Sequence, residues 1–331
     1  MGRIELSPLF GTVPANTPNL EVVGALPKYF RDISPATVWG ESGLVIDAEG
    51  LPVIDALWFP DQLRNCPDFR RSWRRFFPKR LAGAYFNVML YWCRGYYHWV
   101  CDVLPRVQSA LAELPQGLRF IVPDGMTESE RASLAAVGVT DESCVPFRGK
   151  RPWRLGRLVH VPPVAMTGDH TRESLERLRH SVFRHFGLDG VSERSRRIYV
   201  SRKQGAERSI VNEAELLPVL QRSGFEIVRC EELTFEQQVR LFREAETVIG
   251  PHGGGFANLV WCRPGTKVLE IFGSESVRRC YWSICSVLGL CHYCGVADQL
   301  KTDSSMQVDP LLFEAGLHSV LQADMSMRTP T

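Results

Sequence analysis

Residues 247–261, Thr247-Val-Ile-Gly-Pro-His-Gly-Gly-Gly-Phe-Ala-Asn-Leu-Val-Trp261, are the stretch that decides the fold. A short apolar run ends in Gly-Pro, three consecutive glycines follow shortly after, and a second apolar run then begins. This order predicts a buried strand over 247–250, a tight turn and a short helix over 253–261. Strands that alternate with helices are typical of an α/β protein with a parallel sheet.

The same alternation extends on both sides of this stretch. Helix starts are marked by Asn212, as an N-cap, and by Thr234, which forms a capping box with Gln237. The predicted strands are 197–201, 225–229, 267–272 and 291–296, and the predicted helices are 212–223, 234–245 and 276–288. This half of the chain is therefore expected to form an open parallel sheet, with ligands at the carboxyl ends of its strands.

The first half of the chain has a less regular pattern. Strands are predicted over 118–123 and 158–162. Helices are predicted over 127–137, which starts at a capping box, and over 172–187, which ends at a glycine. Strand and helix again alternate, so a layered βαβ architecture is expected here too.

Residues 96–106 are predicted to form a helix that kinks or restarts at Pro105. Its apolar residues recur at helical spacing. His98 and Asp102 are four residues apart, so they are expected to share one face of this helix.

The length of 331 residues predicts about two domains. The polar stretch 188–196 is the expected linker, which gives an N-terminal domain over 1–187 and a C-terminal domain over 188–331. A last short helix is predicted within 310–321, and the sequence allows it to pack back on the N-terminal domain.

The composition excludes several classes of protein. Hydrophobic residues make up 44% and charged residues 23%, which excludes a disordered, collagen-like or coiled-coil chain. The net charge of +2 is too small for the basic footprint of a nucleic-acid-binding domain. No apolar stretch reaches the roughly 18 residues of a membrane helix, and the N-terminal residues lack the apolar core of a signal peptide. We therefore expect a cytoplasmic protein.

Residues 70–80 form a dense basic and aromatic patch, in which six of eleven residues are Lys or Arg. One interpretation is a solvated helix face with buried aromatic side chains. The other is a surface that meets an anionic substrate or the lipid headgroups of the inner membrane surface.

The ten cysteines are expected to be free thiols, because the cytoplasm keeps thiols reduced. Cys291 and Cys294 form a single CxxC without a second pair at zinc-finger spacing. A structural role is favoured for them, with a redox pair or a metal site as the alternative.

Cationic side chains follow the predicted strand 197–201. Arg202 and Lys203 come directly after it, and Arg208 lies a few residues further on. Arginine binds phosphate oxygens in a bidentate manner, and lysine binds them as a point charge. Each of these residues taken alone could equally be a surface salt-bridge partner.

Other candidate ligand-binding residues follow the next two strands of the predicted sheet. Gly253, Gly254 and Gly255 allow the backbone to approach a ligand and open a helix whose N–H groups favour an anion. Glu270 could accept hydrogen bonds from ribose hydroxyls, and His252 is either a binding residue or an ordinary loop histidine. Together with the cations, these residues predict a nucleoside diphosphate site without a metal-binding carboxylate cluster.

Motifs in this order resemble glycosyltransferase family 61 (DUF563), which includes bacterial capsular-polysaccharide proteins, plant xylan arabinosyl- and xylosyltransferases and animal O-linked GlcNAc transferases. The motifs are Tyr96-Tyr-His-Trp99 with Asp102 and Leu104-Pro-Arg106, Arg197-Ile-Tyr-Val-Ser-Arg202, Arg208-x-x-x-Asn212-Glu213, Gly224-Phe225, Glu236-Gln-Gln238, Ile249-Gly-Pro-His-Gly-Gly-Gly-Phe-Ala-Asn258, Pro264-Gly265 and Glu270-Ile271. The resemblance covers about residues 85–272. Gly254 and Phe256 stand where many members have alanine and leucine, and these changes are modest.

The resemblance implies a GT-B-like α/β fold, in which two Rossmann-like domains with open parallel sheets face a cleft. It implies an inverting, metal-independent transfer of a sugar from a nucleotide sugar, often a UDP-sugar, without a cofactor. The C-terminal domain would hold the donor and the N-terminal domain a glycan or lipid-linked glycan acceptor. The donor-binding residues would be Arg202, Lys203, Arg208, His252, Gly253, Gly254, Gly255, Asn258 and Glu270. The absence of a membrane anchor fits a bacterial cytoplasmic enzyme of surface polysaccharide synthesis.

The resemblance also requires a catalytic base, for which Asp102 and His98 are the candidates. Asp102 could act directly while His98 orients the acceptor, or His98 could be the base while Asp102 holds it. Both could instead only cap and cross-link their helix. A non-catalytic sugar-nucleotide or glycan-binding module is the alternative function. The missing GxGxxG and Walker A motifs count against an oxidoreductase or a P-loop NTPase.

Overall fold

A computed structural model describes residues 31–53, 76–111, 117–190, 193–203, 206–274, 277–300 and 304–323. These residues form a mixed α/β protein with two β-sheets. They divide between Asp189 and Gly190 into an N-terminal unit and a C-terminal unit, each with its own sheet.

The sheet of the N-terminal unit is mixed. Its strands are β1 (Arg31–Ile33), β2 (Ala36–Trp39), β3 (Leu44–Ile46), β4 (Lys79–Asn87), β5 (Arg119–Pro123), β6 (Cys144–Phe147) and β7 (Trp153–His160). Their order is β3-β2-β7-β4-β5-β6, with β1 also paired to β7. Strands β7, β4, β5 and β6 are parallel neighbours, whereas β1, β2 and β3 pair antiparallel. The expectation of a fully parallel sheet was therefore wrong for this unit.

The first helical segment of this unit changes its winding along its length. A single α-turn over Tyr96–His98 leads into a π-helical turn over Trp99–Val103, and helix α1 (Leu104–Leu111) follows. Pro105 is the second residue of α1 and lies inside a segment that is helical without interruption from Tyr96 to Leu111. The helix does not restart at Pro105; its winding changes from π to α one residue earlier, at Leu104. Turns of the π type inside helices are frequent at functional sites.

The other helices of the N-terminal unit are α2 (Glu128–Ala136), α3 (Arg172–His185) and a 3₁₀ turn (Asp141–Ser143). The predicted capping box is present, because Thr127 accepts from the Glu130 N–H while the Glu130 carboxylate accepts from the Thr127 N–H. Thr171 caps α3 in a similar way by accepting from the Ser174 N–H.

The sheet of the C-terminal unit has the predicted open, parallel form. Its strands are β8 (Arg196–Val200), β9 (Phe225–Val228), β10 (Ala245–Pro251), β11 (Lys267–Gly273), β12 (Cys291–Gln299) and the short β13 (Met306–Gln307). Their order is β13-β12-β11-β10-β8-β9, and all neighbours are parallel except β13. From β8 the chain moves first to β9 on one side and then to β10 on the other. Ligands bind at such a switch point in open α/β sheets.

The helices of the C-terminal unit are α4 (Glu213–Arg222), α5 (Phe235–Arg243), a 3₁₀ helix (Gly254–Trp261), α6 (Cys280–Leu288) and α7 (Pro310–Gln322), with a 3₁₀ turn at Cys230–Glu232. Helix α5 starts at the predicted capping box of Thr234 and Gln237. Asn212 precedes α4 but makes no capping hydrogen bond; its amide donates instead to the Val308 carbonyl at 2.8 Å.

Helix α7 packs within the C-terminal unit. Phe313, Leu317 and Val320 of α7 lie in one apolar core with Leu216 of α4 and Ile271 of β11. The sequence left open whether this helix packs on the N-terminal domain, and its core contacts place it in the unit to which it belongs in sequence.

Nine cysteines fall within the described residues, and none of these nine forms a disulfide, including Cys291 and Cys294 on β12. Cys66 lies outside the described residues.

Residues 70–75 of the basic patch also lie outside the described residues. In the described part of that patch, Phe76 and Phe77 are exposed and Lys79 and Arg80 begin β4, so these residues do not form a helix face with buried aromatics. No helix among the described residues is long and apolar enough to span a bilayer.

Candidate active site

The carboxyl ends of β8 and β10 bring Arg202 and Gly253 together. A Cβ atom on Gly253 would lie 1.6 Å from Nη1 of Arg202, so the guanidinium occupies the space that a side chain would fill. Arg202 is half-buried, and its Nε has no hydrogen-bond partner among the described residues. An arginine held in this way has unused donor capacity for an anion.

Two more predicted cations are close to Arg202 in sequence. Arg208 is half-buried and has a φ of 63°, in the left-handed region that few residues other than glycine adopt. Burial and the charge of Arg208 lower the pKa of Arg202. Lys203 is exposed. Two mutually repelling guanidinium groups favour the arrival of a negatively charged ligand.

Glycines near the end of β10 and in the turn after it permit close packing. A Cβ on Gly250 would lie 2.6 Å from the Val200 carbonyl oxygen, and one on Gly255 would lie 2.9 Å from Cγ1 of Val200. The Tyr281 hydroxyl donates to the Gly253 carbonyl at 2.6 Å. The segment after the turn, which contains Gly254, is a 3₁₀ helix, and its first N–H groups lie at the carboxyl end of β10 as predicted.

His252 and Glu270 are buried and bonded to each other. Oε1 of Glu270 lies 2.5 Å from Nδ1 of His252, and its Oε2 lies 2.8 Å from Nε2 of His292 on β12. Burial would raise the pKa of Glu270, but the hydrogen bonds from the two histidines outweigh it and hold that pKa below its usual range. Because both oxygens are engaged and fully buried, this geometry differs from the predicted contact of Glu270 with ribose hydroxyls.

Asn258 is also buried, and its amide is engaged within the fold. Its Nδ2 donates to Gln238 at 2.7 Å and to the Gly255 carbonyl at 3.1 Å, and its Oδ1 accepts from the Trp261 indole at 3.1 Å. The side chain therefore fixes the 3₁₀ helix to α5, which differs from the predicted contact with the donor.

In the N-terminal unit, the π-turn places His98 against Asp102. Nδ1 of His98 lies 2.8 Å from Oδ2 of Asp102, and the Thr167 hydroxyl donates to the same oxygen at 2.9 Å. The prediction that His98 and Asp102 share one helix face is confirmed. The side chain of Asp102 is almost fully buried, whereas that of His98 keeps 23% of its exposure. Burial raises the pKa of Asp102 against the opposing effect of its bonds to His98 and Thr167.

Aromatic side chains surround His98. Its ring lies 5.4 Å from that of Trp92 and 5.1 Å from that of Tyr97. Trp92 is 49% exposed and has a φ of 62°, an uncommon conformation for a large side chain. The Tyr97 hydroxyl lies 3.1 Å from Nε2 of the buried His170. The candidate base therefore lies at an aromatic surface.

Arg106 belongs to the same motif as His98, and its contacts hold parts of the fold together. It is 2% exposed and donates to the carbonyls of Val161 at 2.6 Å and Asn87 at 2.8 Å. Its guanidinium lies 4.6 Å from the Phe86 ring centroid. These contacts fix the loop ends of β4 and β7 to α1.

Three side chains at these sites were missed by the sequence analysis: His292, Thr167 and Tyr281. His292 lies in the strand predicted over 291–296, but its contact with Glu270 depends on the pairing of β12 with β11, which the sequence analysis did not predict. Thr167 and Tyr281 lie far from their partners in sequence, and no local pattern marks them. Among the described residues, no three His, Cys, Asp or Glu side chains are placed to hold a metal ion.

Comparison with known proteins gives the family. Residues 96–269 match the description Glycosyltransferase 61, and the match contains His98, Asp102, Arg202 and His252. A stretch of 54 residues is 43% identical to a β-1,2-xylosyltransferase of rice (Oryza sativa subsp. japonica). That stretch is 16% of this chain and 10% of the rice protein, so the similarity to this relative spans only a small part of its length. Because the family match covers more than half of the sequence, the chain belongs to glycosyltransferase family 61.

Proposed function

We propose that the protein transfers a sugar from a nucleoside diphosphate sugar, with UDP as the expected nucleotide, to a hydroxyl group of a glycan or glycolipid, with inversion and without a metal ion. The observation that carries the proposal is the guanidinium of Arg202, which lies against Gly253 at the switch point of the C-terminal sheet. Family membership supports the same reaction class.

The leaving diphosphate gains negative charge as its bond to the sugar breaks. Arg202 and Arg208 supply positive charge at the carboxyl end of β8, and the backbone N–H groups of the glycine turn supply donors at the end of β10. Such prearranged donors stabilise developing charge without reorganising at the moment of reaction. In other transferases a divalent metal ion stabilises this charge. Because the two arginines and the backbone N–H groups can do the same here, we propose that the donor site works without a metal ion.

For the base, the geometry supports His98 over Asp102. Asp102 is almost fully buried, and its Oδ2 is engaged by His98 and Thr167. We assign the Nδ1 proton of His98 to this hydrogen bond, so Nε2 is the nitrogen that takes up a proton. The acceptor oxygen forms its bond to the anomeric carbon, its proton passes to Nε2 of His98, and the electrons of the broken bond leave with the diphosphate.

Trp92 is the proposed acceptor platform. Its partly exposed ring lies beside His98, and a pyranose ring presents C–H groups that pack against an indole face. Changing Trp92 to Ala is expected to raise KM for the acceptor with a smaller effect on kcat, and changing it to Phe is expected to recover part of the loss. An unchanged acceptor KM in the alanine variant would exclude this role.

The donor site is tested by titrating UDP into the protein calorimetrically, with and without EDTA. We expect binding that EDTA does not alter. We also expect about a tenfold or greater loss of affinity in Arg202→Ala, because a charge-assisted hydrogen bond is lost. Lys203→Ala is the matched control, since Lys203 is exposed and is expected to contribute less. Equal affinity in wild type and Arg202→Ala would overturn the diphosphate role of Arg202.

Turnover separates the enzyme from a binding module. A bound UDP-sugar should be consumed in the presence of an acceptor, and His98→Ala should slow transfer roughly a hundredfold or more while UDP affinity is kept. Donor binding without turnover by wild type, across a panel of UDP-sugars and acceptors, would favour the non-catalytic module.

A cytoplasmic protein of bacterial surface polysaccharide synthesis, with the acceptor carried on a lipid, is the setting that we propose. Phe76 and Phe77 are exposed beside the cations Lys79 and Arg80, which suits a surface of anionic lipid headgroups. Co-sedimentation with anionic vesicles should fall when Lys79 and Arg80 are changed to Glu. Equal sedimentation of this variant and wild type would exclude membrane contact through these residues.

A further inference from the structure

His252, Glu270 and His292 form a buried charged array at the end of β10 that the proposed chemistry does not yet use. The carboxylate of Glu270 lies between the two imidazoles and accepts from both, at 2.5 Å from His252 and 2.8 Å from His292. The side chains of Glu270 and His292 are fully buried, and that of His252 keeps 6% of its exposure. A buried carboxylate is costly unless its charge is compensated.

The position of His292 indicates that it is a neutral donor. Its Nε2 lies on Glu270, while its Nδ1 is buried with no hydrogen-bond partner among the described residues. A second proton on Nδ1 would create a buried positive charge whose donor has no acceptor, which is more costly than an unused lone pair. His292 therefore stabilises the Glu270 carboxylate by a hydrogen bond without cancelling its charge.

The other titratable groups near Glu270 do not supply that charge either. Burial raises the pKa of Cys280 to about 12 and that of Cys294 to about 11, and it raises that of Cys285 as well. These thiols stay neutral at neutral pH. Tyr281, which packs on the His252 ring, donates its hydroxyl to the Gly253 carbonyl. Among these groups, His252 is the one that can gain a positive charge next to Glu270.

His252 is also placed to meet the ligand. It precedes Gly253, against which Arg202 lies, and its ring is stacked on Phe272 at 5.3 Å. With Nδ1 on Glu270, its Nε2 makes no hydrogen bond within the described part of the chain. A proton on Nε2 would turn His252 into a cationic donor beside Arg202.

We propose that His252 takes up a proton when the diphosphate binds, and that His292 is the positioning residue that makes this possible by keeping Glu270 ionised. The inference rests on the proposed donor site. Without the His292 donor, the fully buried carboxylate loses one of the two hydrogen bonds that offset its burial. Glu270 then becomes the site that holds the proton, and His252 loses its counter-charge.

Calorimetry in buffers of different ionisation enthalpy tests the inference, because it counts the protons that accompany binding. UDP and GDP are the probes, since the argument concerns the diphosphate and not the base. Near neutral pH we expect His252→Gln to take up fewer protons than wild type when the nucleotide binds. Because the same nucleotide binds to both proteins, its own change in protonation cancels when the two are compared. His292→Gln retains a donor toward Glu270 and should keep the wild-type uptake. His292→Leu should lower the uptake to that of His252→Gln and weaken binding about tenfold.

The outcomes separate the inference from the proposed function. Binding by wild type with the same proton uptake as His252→Gln would overturn the inference and leave the donor site intact. Unchanged uptake in His292→Leu would overturn the role of His292. If His292→Leu does not fold, His292→Asn, whose shorter amide reaches less far, should show less uptake than His292→Gln, and equal uptake in the two would overturn that role. If neither UDP nor GDP binds wild type, the proposed function fails and the inference fails with it.

Discussion

Arg202 lies against Gly253 so closely that a Cβ atom at position 253 would be 1.6 Å from its Nη1 and 2.8 Å from its Cζ. Gly253 has an extended backbone, so the need for glycine here arises from the arginine and not from the backbone conformation. The guanidinium and the glycine backbone form one surface at the carboxyl ends of β8 and β10. The smallest added side chain must displace the guanidinium from it.

Gly253→Ala is therefore expected to have the same effect on UDP binding as the loss of the Arg202 guanidinium. The alanine methyl group should push the guanidinium away and reduce UDP affinity about tenfold or more, measured by calorimetry. Gly254→Ala is the matched control, because it adds the same methyl group one residue later and keeps the backbone N–H, and it should bind UDP as wild type does. If Gly253→Ala bound UDP normally, the guanidinium position would not matter for the donor.

Asp102→Asn is expected to lower activity and raise stability at the same time. Burial raises the pKa of Asp102, so its ionisation destabilises the fold increasingly as pH rises through that pKa. A neutral asparagine of the same size removes this cost. Asparagine also offers an N–H to His98 and favours the wrong ring tautomer, so transfer should slow roughly a hundredfold or more.

Denaturant unfolding of Asp102→Asn and wild type at several pH values checks the stability effect. The free energy of unfolding of the variant should exceed that of wild type at pH 7, and the difference should shrink toward pH 4. Thr167→Val, which removes one hydrogen bond from the carboxylate but keeps its charge, should not show this gain. If Asp102→Asn were less stable than wild type at neutral pH, the buried charge of Asp102 would not be destabilising, and the prediction would be wrong.

The buried His170 is expected to make the protein sensitive to acid. Burial lowers its pKa from 6.5 to about 4, so the folded chain keeps it neutral while the unfolded chain takes up a proton. The stability from this group is complete above pH 6.5 and is lost as pH falls through 4. The full loss corresponds to about 3 kcal/mol in the free energy of unfolding.

His170→Gln should therefore lose less stability than wild type between pH 7 and pH 4, as followed by denaturant unfolding across that range. Gln can still bond to the Tyr97 hydroxyl, which limits other effects. His185→Gln is the control, because His185 lies exposed in the last turn of α3 and should leave the acid profile unchanged. Identical pH profiles for wild type and His170→Gln would contradict the prediction.

The C-terminal sheet could be predicted because parallel strands buried on both faces appear as apolar runs between capped helices. Thr234 with Gln237 marked one helix start correctly, since a capping box is a local pattern. Asn212 is the N-cap residue of α4 as predicted, but its side chain makes no capping hydrogen bond. Its amide bonds instead to the backbone at Val308, a partner 96 residues away that no local pattern announces.

The N-terminal sheet also depends on contacts between residues that are far apart in the sequence. Strands β1 and β2 pair with β7, more than 100 residues later in the chain, and this antiparallel edge leaves no signal in local periodicity. In the site, sequence spacing predicted the contact of His98 with Asp102, because residues four apart on a helix are neighbours. It could not predict that Glu270 faces two histidines, since strand order and register decide that contact.

Asn258→Ala tests the structural role of a motif residue that the sequence placed in the donor site. The change leaves the Gln238 amide oxygen and the Trp261 indole without the partner that they have in the fold, and it should lower the free energy of unfolding by about 3 kcal/mol. UDP affinity, measured at low temperature where the variant is folded, should change little. Arg202→Ala should give the opposite pattern, with lost affinity and retained stability, because it removes a half-buried charge. A large loss of UDP affinity in Asn258→Ala with normal stability would contradict the structural role and indicate that Asn258 binds the donor.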